Sequence, residues 1–114
     1  MLHRFHTEIA RRYGLAEAVL FYHIAYWVKE NTANNRHLYD GCYWVYDSVH
    51  ELSINTHNYL SEHQIRRALN KLVQEELLIR RNYSKFAYDR TYWYTLSEKA
   101  FSILQEIEMD DVKK

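Results

Sequence analysis

The stretch from Ser61 to Ala87, SEHQIRRALNKLVQEELLIRRNYSKFA, changes its period midway, and that change limits the folds open to the chain. Up to Gln74 the apolar residues Ile65, Leu69, Leu72 and Val73 recur at helical spacing, with His63, Arg67, Asn70 and Gln74 on the other side. After Glu76 the spacing drops to two in LLIRRNY, so a strand leaves the helix directly. Asn82 to Arg90 is polar and turn-like. Thr91 to Leu96, TYWYTL, is β-branched and aromatic throughout and supplies the return strand of a hairpin. A helix with Arg, Asn and Gln on its free face can hydrogen-bond base edges and phosphates in a major groove.

Two capping patterns precede that helix's core. Ser48 and Glu51 have the S-x-x-E spacing that opens a helix over SVHELSIN, and Ser61 with Gln64 repeats it as S-x-x-Q after a turn at Asn55 to Leu60. Two capped helices a short turn apart suggest a helix-turn-helix. Farther upstream, CYWVY at Cys42 to Tyr46 reads as a first strand, and NTANNRHLYDG at Asn31 to Gly41 as an exposed loop. Leu15 to Asn31 is helical and apolar nearly all round, more than one small core needs. That girth calls for a second contact, with the terminal segments or with a dimer partner. Met1 to Tyr13 reads either as a helical turn or as a partly ordered arm. Ser97 caps a last helix, EKAFSILQEIE, and the tail MDDVKK is expected to fray.

The order is α-β-α-α-β-β-α, a mainly α chain with a small antiparallel sheet (α+β), and winged helix-turn-helix is the expected architecture. With 114 residues, 2 Gly and no Pro, a single domain fits and a turn-rich sandwich does not. Its core spans about residues 15–97, with segments 1–14 and 98–114 packed on it or forming a dimer contact. The stripe Tyr22, Tyr26, Trp27, Tyr43 and Trp44 reads as core, in part as a dimer surface.

The formal net charge is zero, so the whole molecule is not basic, but the charge is segregated. Ser61 to Thr95 holds 7 Lys and Arg (Arg66, Arg67, Lys71, Arg80, Arg81, Lys85, Arg90) against 4 acids (Glu62, Glu75, Glu76, Asp89). Cys42 is the single cysteine, which excludes an intramolecular disulfide and fits a reducing compartment, so a cytoplasmic location is expected. No apolar run reaches the ~20 residues of a membrane span. The 7 His include His3 and His6 near the start and His50, His57 and His63 around the helix pair, none with metal-ligand spacing. Without a nucleophile motif or a Gly-rich phosphate loop, neither an enzyme nor a cofactor is expected.

The residues LSEHQIRRALNKLVQEELLIRRNYSKFAYDRTYWYTLSEKA resemble the winged-helix domains of phage and prophage replication proteins. These include the N-terminal domains of replisome organisers and relatives of the DnaD primosomal protein. The likeness rests on Ser61, Arg66 to Leu69, Leu78 with Ile79, Asn82 with Tyr83, Asp89 to Thr91, and Trp93 with Tyr94. With EAVLFYHIAYW and CYWVYDS it covers roughly residues 15–97. The chain departs from that group at Glu76, where such domains usually place Gly between helix and strand. A left-handed non-Gly there costs on the order of 1 kcal/mol.

The resemblance implies a protein of replication initiation that binds double-stranded DNA by recognition helix and wing. His63, Gln64, Arg67 and Asn70 are then expected at base edges, and Ser61, Arg66 and Lys71 on phosphates. Arg80, Arg81 and Lys85 are expected to flank or tip the wing and meet the backbone or minor groove. Arg90 either joins them or pairs with Asp89 or Glu98. Tyr83, Phe86 and Tyr88 are expected to pin the wing to the body. The bland alternative for the helix is a solvated face. Two other roles keep the same fold: a transcriptional regulator, for which a palindromic footprint would speak, and a protein-interaction module of a replication assembly. A homodimer and other replication proteins are the further expected partners.

Overall fold

The computed structural model describes residues 6–56, 59–83 and 91–112, with side chains through Ile107 in the last helix. The elements are α1 (Thr7–Tyr13), α2 (Leu15–Ala33), β1 (Leu38–Tyr39), β2 (Cys42–Tyr43), β3 (Val45–Tyr46), α3 (Val49–Asn55), α4 (Glu62–Gln74), β4 (Leu78–Arg81), β5 (Trp93–Leu96) and α5 (Glu98–Val112). The described chain is therefore mostly helical with a small antiparallel sheet.

Three of the helices, α3, α4 and α5, begin where hydroxyl caps stand. Ser61 and Gln64 close a complete capping box: the Ser61 hydroxyl accepts from the Gln64 N–H (3.1 Å), and the Gln64 amide oxygen accepts from the Ser61 N–H (2.8 Å). At α3 the box is half made. The Ser48 hydroxyl accepts from the Glu51 N–H and donates to the Glu51 carboxylate, so the carboxylate never reaches the Ser48 amide. Ser97 accepts from the Ala100 N–H at the start of α5 and donates to the Glu76 carbonyl (2.5 Å), joining the start of α5 to the end of α4.

α4 ends in a left-handed residue. Glu76 has φ 64°, its N–H bonds the Val73 carbonyl and the Leu77 N–H bonds the Leu72 carbonyl, which turns the chain into β4. The conformation that favours glycine is therefore present, and Glu76 adopts it.

α2 is the hub. It packs against α1, α4, β2, β3 and β5, which accounts for most of its apolar girth. Ala18, Leu20, Phe21, Ile24 and Val28 are buried, and they join Ile65, Ala68, Leu69 and Leu72 of α4 in one hydrophobic cluster. α1 and α5 contribute Ile9, Ala100 and Ile103 to the same cluster. Burying each such large side chain contributes about 1.5–3 kcal/mol before entropy is counted. The aromatic stripe divides: Trp44 is buried and Tyr22 and Tyr43 are half-buried, while Tyr26 and Trp27 are exposed. Buried Asn31 donates to the Trp44 carbonyl (2.8 Å) and so ties the end of α2 to the sheet.

Three expectations need correction. The segment from Asn31 is not all loop, because α2 continues to Ala33 and a hairpin follows. β1 and β2 pair Leu38 with Tyr43 and Tyr39 with Cys42 around Asp40 and Gly41. Both turn residues have positive φ (52° and 77°), as a two-residue type I′ turn requires. The Cys42 to Tyr46 run is consequently two strands that break at Trp44. The tail expected to fray is helical through Val112.

The main sheet has the order β3-β5-β4, antiparallel throughout. Val45 faces Tyr94 in one ladder, and Arg80 faces Tyr94 and Arg81 faces Trp93 in the other. Since side chains alternate along a strand, Arg80 shares a face with Leu78 and Arg81 with Ile79. That alternation decides which arginine meets α4.

Candidate nucleic-acid interface

α4 buries Ile65, Ala68, Leu69 and Leu72 and leaves its other side to solvent. His63 and Arg67 stand there exposed, with no hydrogen-bond or ion-pair partner among the described residues. Ser61 and Gln64 are exposed too, but their side chains are engaged in the capping box. Their first role is to start α4.

The flanks of α4 behave differently. On one flank Arg66 forms an exposed pair with Glu62 (3.5 Å), and Glu62 also meets His50 (3.5 Å). On the other flank Lys71 donates to the Tyr13 carbonyl at the end of α1 (2.6 Å). Lys71 thus acts as a tie between helices while its side chain stays exposed. Arg81 is exposed, and its guanidinium folds back on the Arg80 carbonyl (2.8 Å). Lys85 lies outside the described residues, as do Phe86, Tyr88, Asp89, Arg90, His57 and His3.

Between α4 and the sheet runs a groove of about 570 Å³. Glu62, Arg66, Leu69 and Asn70 line it from α4; Arg80, Tyr92 and Tyr94 line it from the hairpin; Asp47 to His50 close the end near α3. Arg80 is the fixed point of the groove. Its guanidinium donates to the Asn70 amide oxygen (2.7 Å), lies over the Tyr92 ring (4.5 Å from its centroid) and stands near the Tyr94 phenol. Burial holds the Tyr94 phenol above its ordinary value, and Arg80 pulls it part of the way back. At the α3 end Asp47 is held by His23 (3.0 Å).

The sequence reading put Asn70 at a base edge and left Arg80 as one of several wing cations. The signal for Arg80 was the strand period: two residues after Leu78, it points where Leu78 points, toward α4. What no spacing could supply was Asn70 meeting it from another element.

The hairpin is pinned from the opposite side. Tyr83 donates to the Asp40 carboxylate (2.6 Å), stacks on Tyr39 (4.9 Å, 11° between planes) and meets Trp44 edge-on (4.9 Å). Desolvation, with the nearby Asp40 charge, pushes the Tyr83 phenol up to about 12. Pinning by Tyr83 is what was expected of it. Its anchor, the β1–β2 turn, was not foreseen.

A second and more apolar groove, of about 1060 Å³, lies between α2, β2 and α5. Tyr22, Tyr26, Phe101 and Leu104 line it, with Lys29 at its edge, and Tyr26 and Phe101 are 49% and 54% exposed. Among the described residues no helix is long and apolar enough to cross a membrane, and no cluster of three His, Cys, Asp or Glu could hold a metal ion. Compared with protein-family models, curated proteins and solved structures, the chain matches none.

Proposed function

We propose that the chain is a winged helix-turn-helix protein that binds double-stranded DNA without catalysis, of the kind that serves phage or mobile-element replication initiation. In this reading α3 and α4 form the helix-turn-helix, α4 is the recognition helix, and β4 with β5 is the wing. The observation that carries it is the juxtaposition of the exposed His63 and Arg67, without a partner among the described residues, with the groove that holds Arg66, Asn70 and Arg80. Phosphate contacts then give affinity and position, and α4 reads base edges. The replication role rests on the sequence resemblance alone.

Fluorescence anisotropy on a mixed-sequence duplex at ~50 mM salt tests the reading. Binding should weaken steeply as salt rises, because each neutralised phosphate releases counterion. Arg67→Ala should cost about 1–3 kcal/mol of binding. A wild-type protein that leaves the duplex unbound at that salt would remove the proposal.

The apolar groove supports a second reading, a protein contact through α2 and α5, with a second copy of this chain as occupant. Lys29 lines the groove and the exposed Glu106 follows its lining residue Gln105, so a two-fold copy can set unlike charges against each other. Phe101→Glu should shift sedimentation from dimer to monomer and leave the fold intact. A wild-type chain that sediments as a monomer at high micromolar concentration would discard this reading while leaving the first untouched.

A further inference from the structure

We infer that the groove between α4 and the β4–β5 strands seats one backbone phosphate of the bound nucleic-acid strand, with Arg80 as a fixed cation and Arg66 as an exchangeable one. The inference rests on the DNA-binding reading and names a contact within it.

Arg80 is half-buried, and the groups around its guanidinium are neutral: an amide oxygen, an aromatic face and a phenol. Among the described residues no carboxylate lies within ion-pair distance of it. Tyr94 does not supply a negative charge, because a phenol is protonated at neutral pH and burial raises its pKa further. A partly desolvated cation without a counter-ion is unfavourable, and an arriving anion relieves it. The Asn70 hydrogen bond uses one of the five N–H donors of the guanidinium, and together with the Tyr92 ring it fixes the plane of the rest. A cation whose orientation is already fixed loses little entropy on binding, and the Arg fork matches two phosphate oxygens.

Arg66 stands on the facing wall in a looser arrangement. Its pair with Glu62 is long (3.5 Å), and both side chains are exposed. Such exposed pairs contribute little, less than a charge-assisted bond to phosphate, so a phosphate displaces Glu62 from Arg66. The acids in the groove, Glu62 and Asp47, lie on the side of α3, and Asp47 is already held by His23. That places the seat at the wing end. Glu62 is then a built-in competitor that weakens binding.

Anisotropy titrations of duplexes of two unrelated sequences between ~50 and ~200 mM salt, with wild type, Arg80→Gln, Arg80→Lys, Arg66→Gln and Glu62→Gln, test this. Arg80→Gln should lose affinity equally for both duplexes and lower the slope of log K against log salt by about 0.9, the value of one phosphate. Arg80→Lys should recover the slope and only part of the affinity. Glu62→Gln should raise affinity about two- to fivefold. Arg66 is exposed, so Arg66→Gln carries the slope test if Arg80→Gln fails to melt cooperatively. Slopes that stay at the wild-type value in both Gln variants overturn the seat and leave DNA binding standing. A wild-type protein that binds no duplex removes the underlying reading. Deoxyadenosine monophosphate, titrated alone, separates the two sources of phosphate: its capture in an Arg80-dependent way, with no duplex bound, would assign the groove to a free nucleotide and overturn the strand.

Discussion

Glu76 shows how one residue carries a conflict between backbone and side chain. The turn from α4 into β4 demands a left-handed residue, and Glu76 fills it at φ 64°. Its Cβ crowds the following carbonyl there, at a cost on the order of 1 kcal/mol that glycine would not bear. Its side chain is exposed, and among the described residues only its backbone is engaged, to Val73 and Ser97. Glu76→Gly should therefore stabilise the protein by about 1 kcal/mol, read as a higher urea midpoint with an unchanged m value. A midpoint that falls would show that the greater freedom of glycine in the unfolded chain outweighs the relief. Asn35, His37 and Asp40 also have positive φ, all within the segment that forms the small hairpin. Asp tolerates that region better than most residues, which suits Asp40 to the turn.

At the scale of elements, that hairpin and the β4–β5 strands are held together by aromatic rings. Tyr83 joins them through Asp40, Tyr39 and Trp44, while Trp93 meets His37, Tyr39 and Tyr46. The Tyr83 phenol has an ordinary value of 10.0 and stands at about 12 in the folded chain. Its neutral form is thus favoured by folding, and the contribution is fully present below pH 10.0 and lost as pH rises through about 12. Tyr83→Phe should lose less stability than wild type between pH ~8 and ~11, as urea melts at the two values would show. An equal loss in both proteins would mean that the Asp40 contact does not hold the phenol in its neutral form.

Across the whole molecule, two lysines close gaps between helices that are distant in the chain. Lys71 on α4 caps the Tyr13 carbonyl of α1, and Lys99 on α5 caps the Glu75 carbonyl at the end of α4 (2.9 Å). Lys71→Ala should lower unfolding free energy by about 0.5–1.5 kcal/mol and leave the salt slope of DNA binding nearly unchanged. A slope that falls by about 0.9 would return Lys71 to the phosphate contacts. The pair Arg67 and Lys71, equivalent by composition, is separated by which neighbour each side of α4 meets.

Much of this was legible in the chain alone. Capping spacings at Ser48, Ser61 and Ser97 marked three helix starts, and the fall from helical period to two placed β4 directly after α4, because caps and periodicity are local properties. The Asp40-Gly41 dipeptide carried the hairpin signal as well, though it reads as loop when the flanking strands are only two residues long. Tertiary structure alone decided what each polar side chain meets. It gave Lys71 to Tyr13, Tyr83 to Asp40 and Asn70 to Arg80, partners that lie 58, 43 and 10 residues apart. A partner at that distance is set by how elements pack, and no local pattern encodes it.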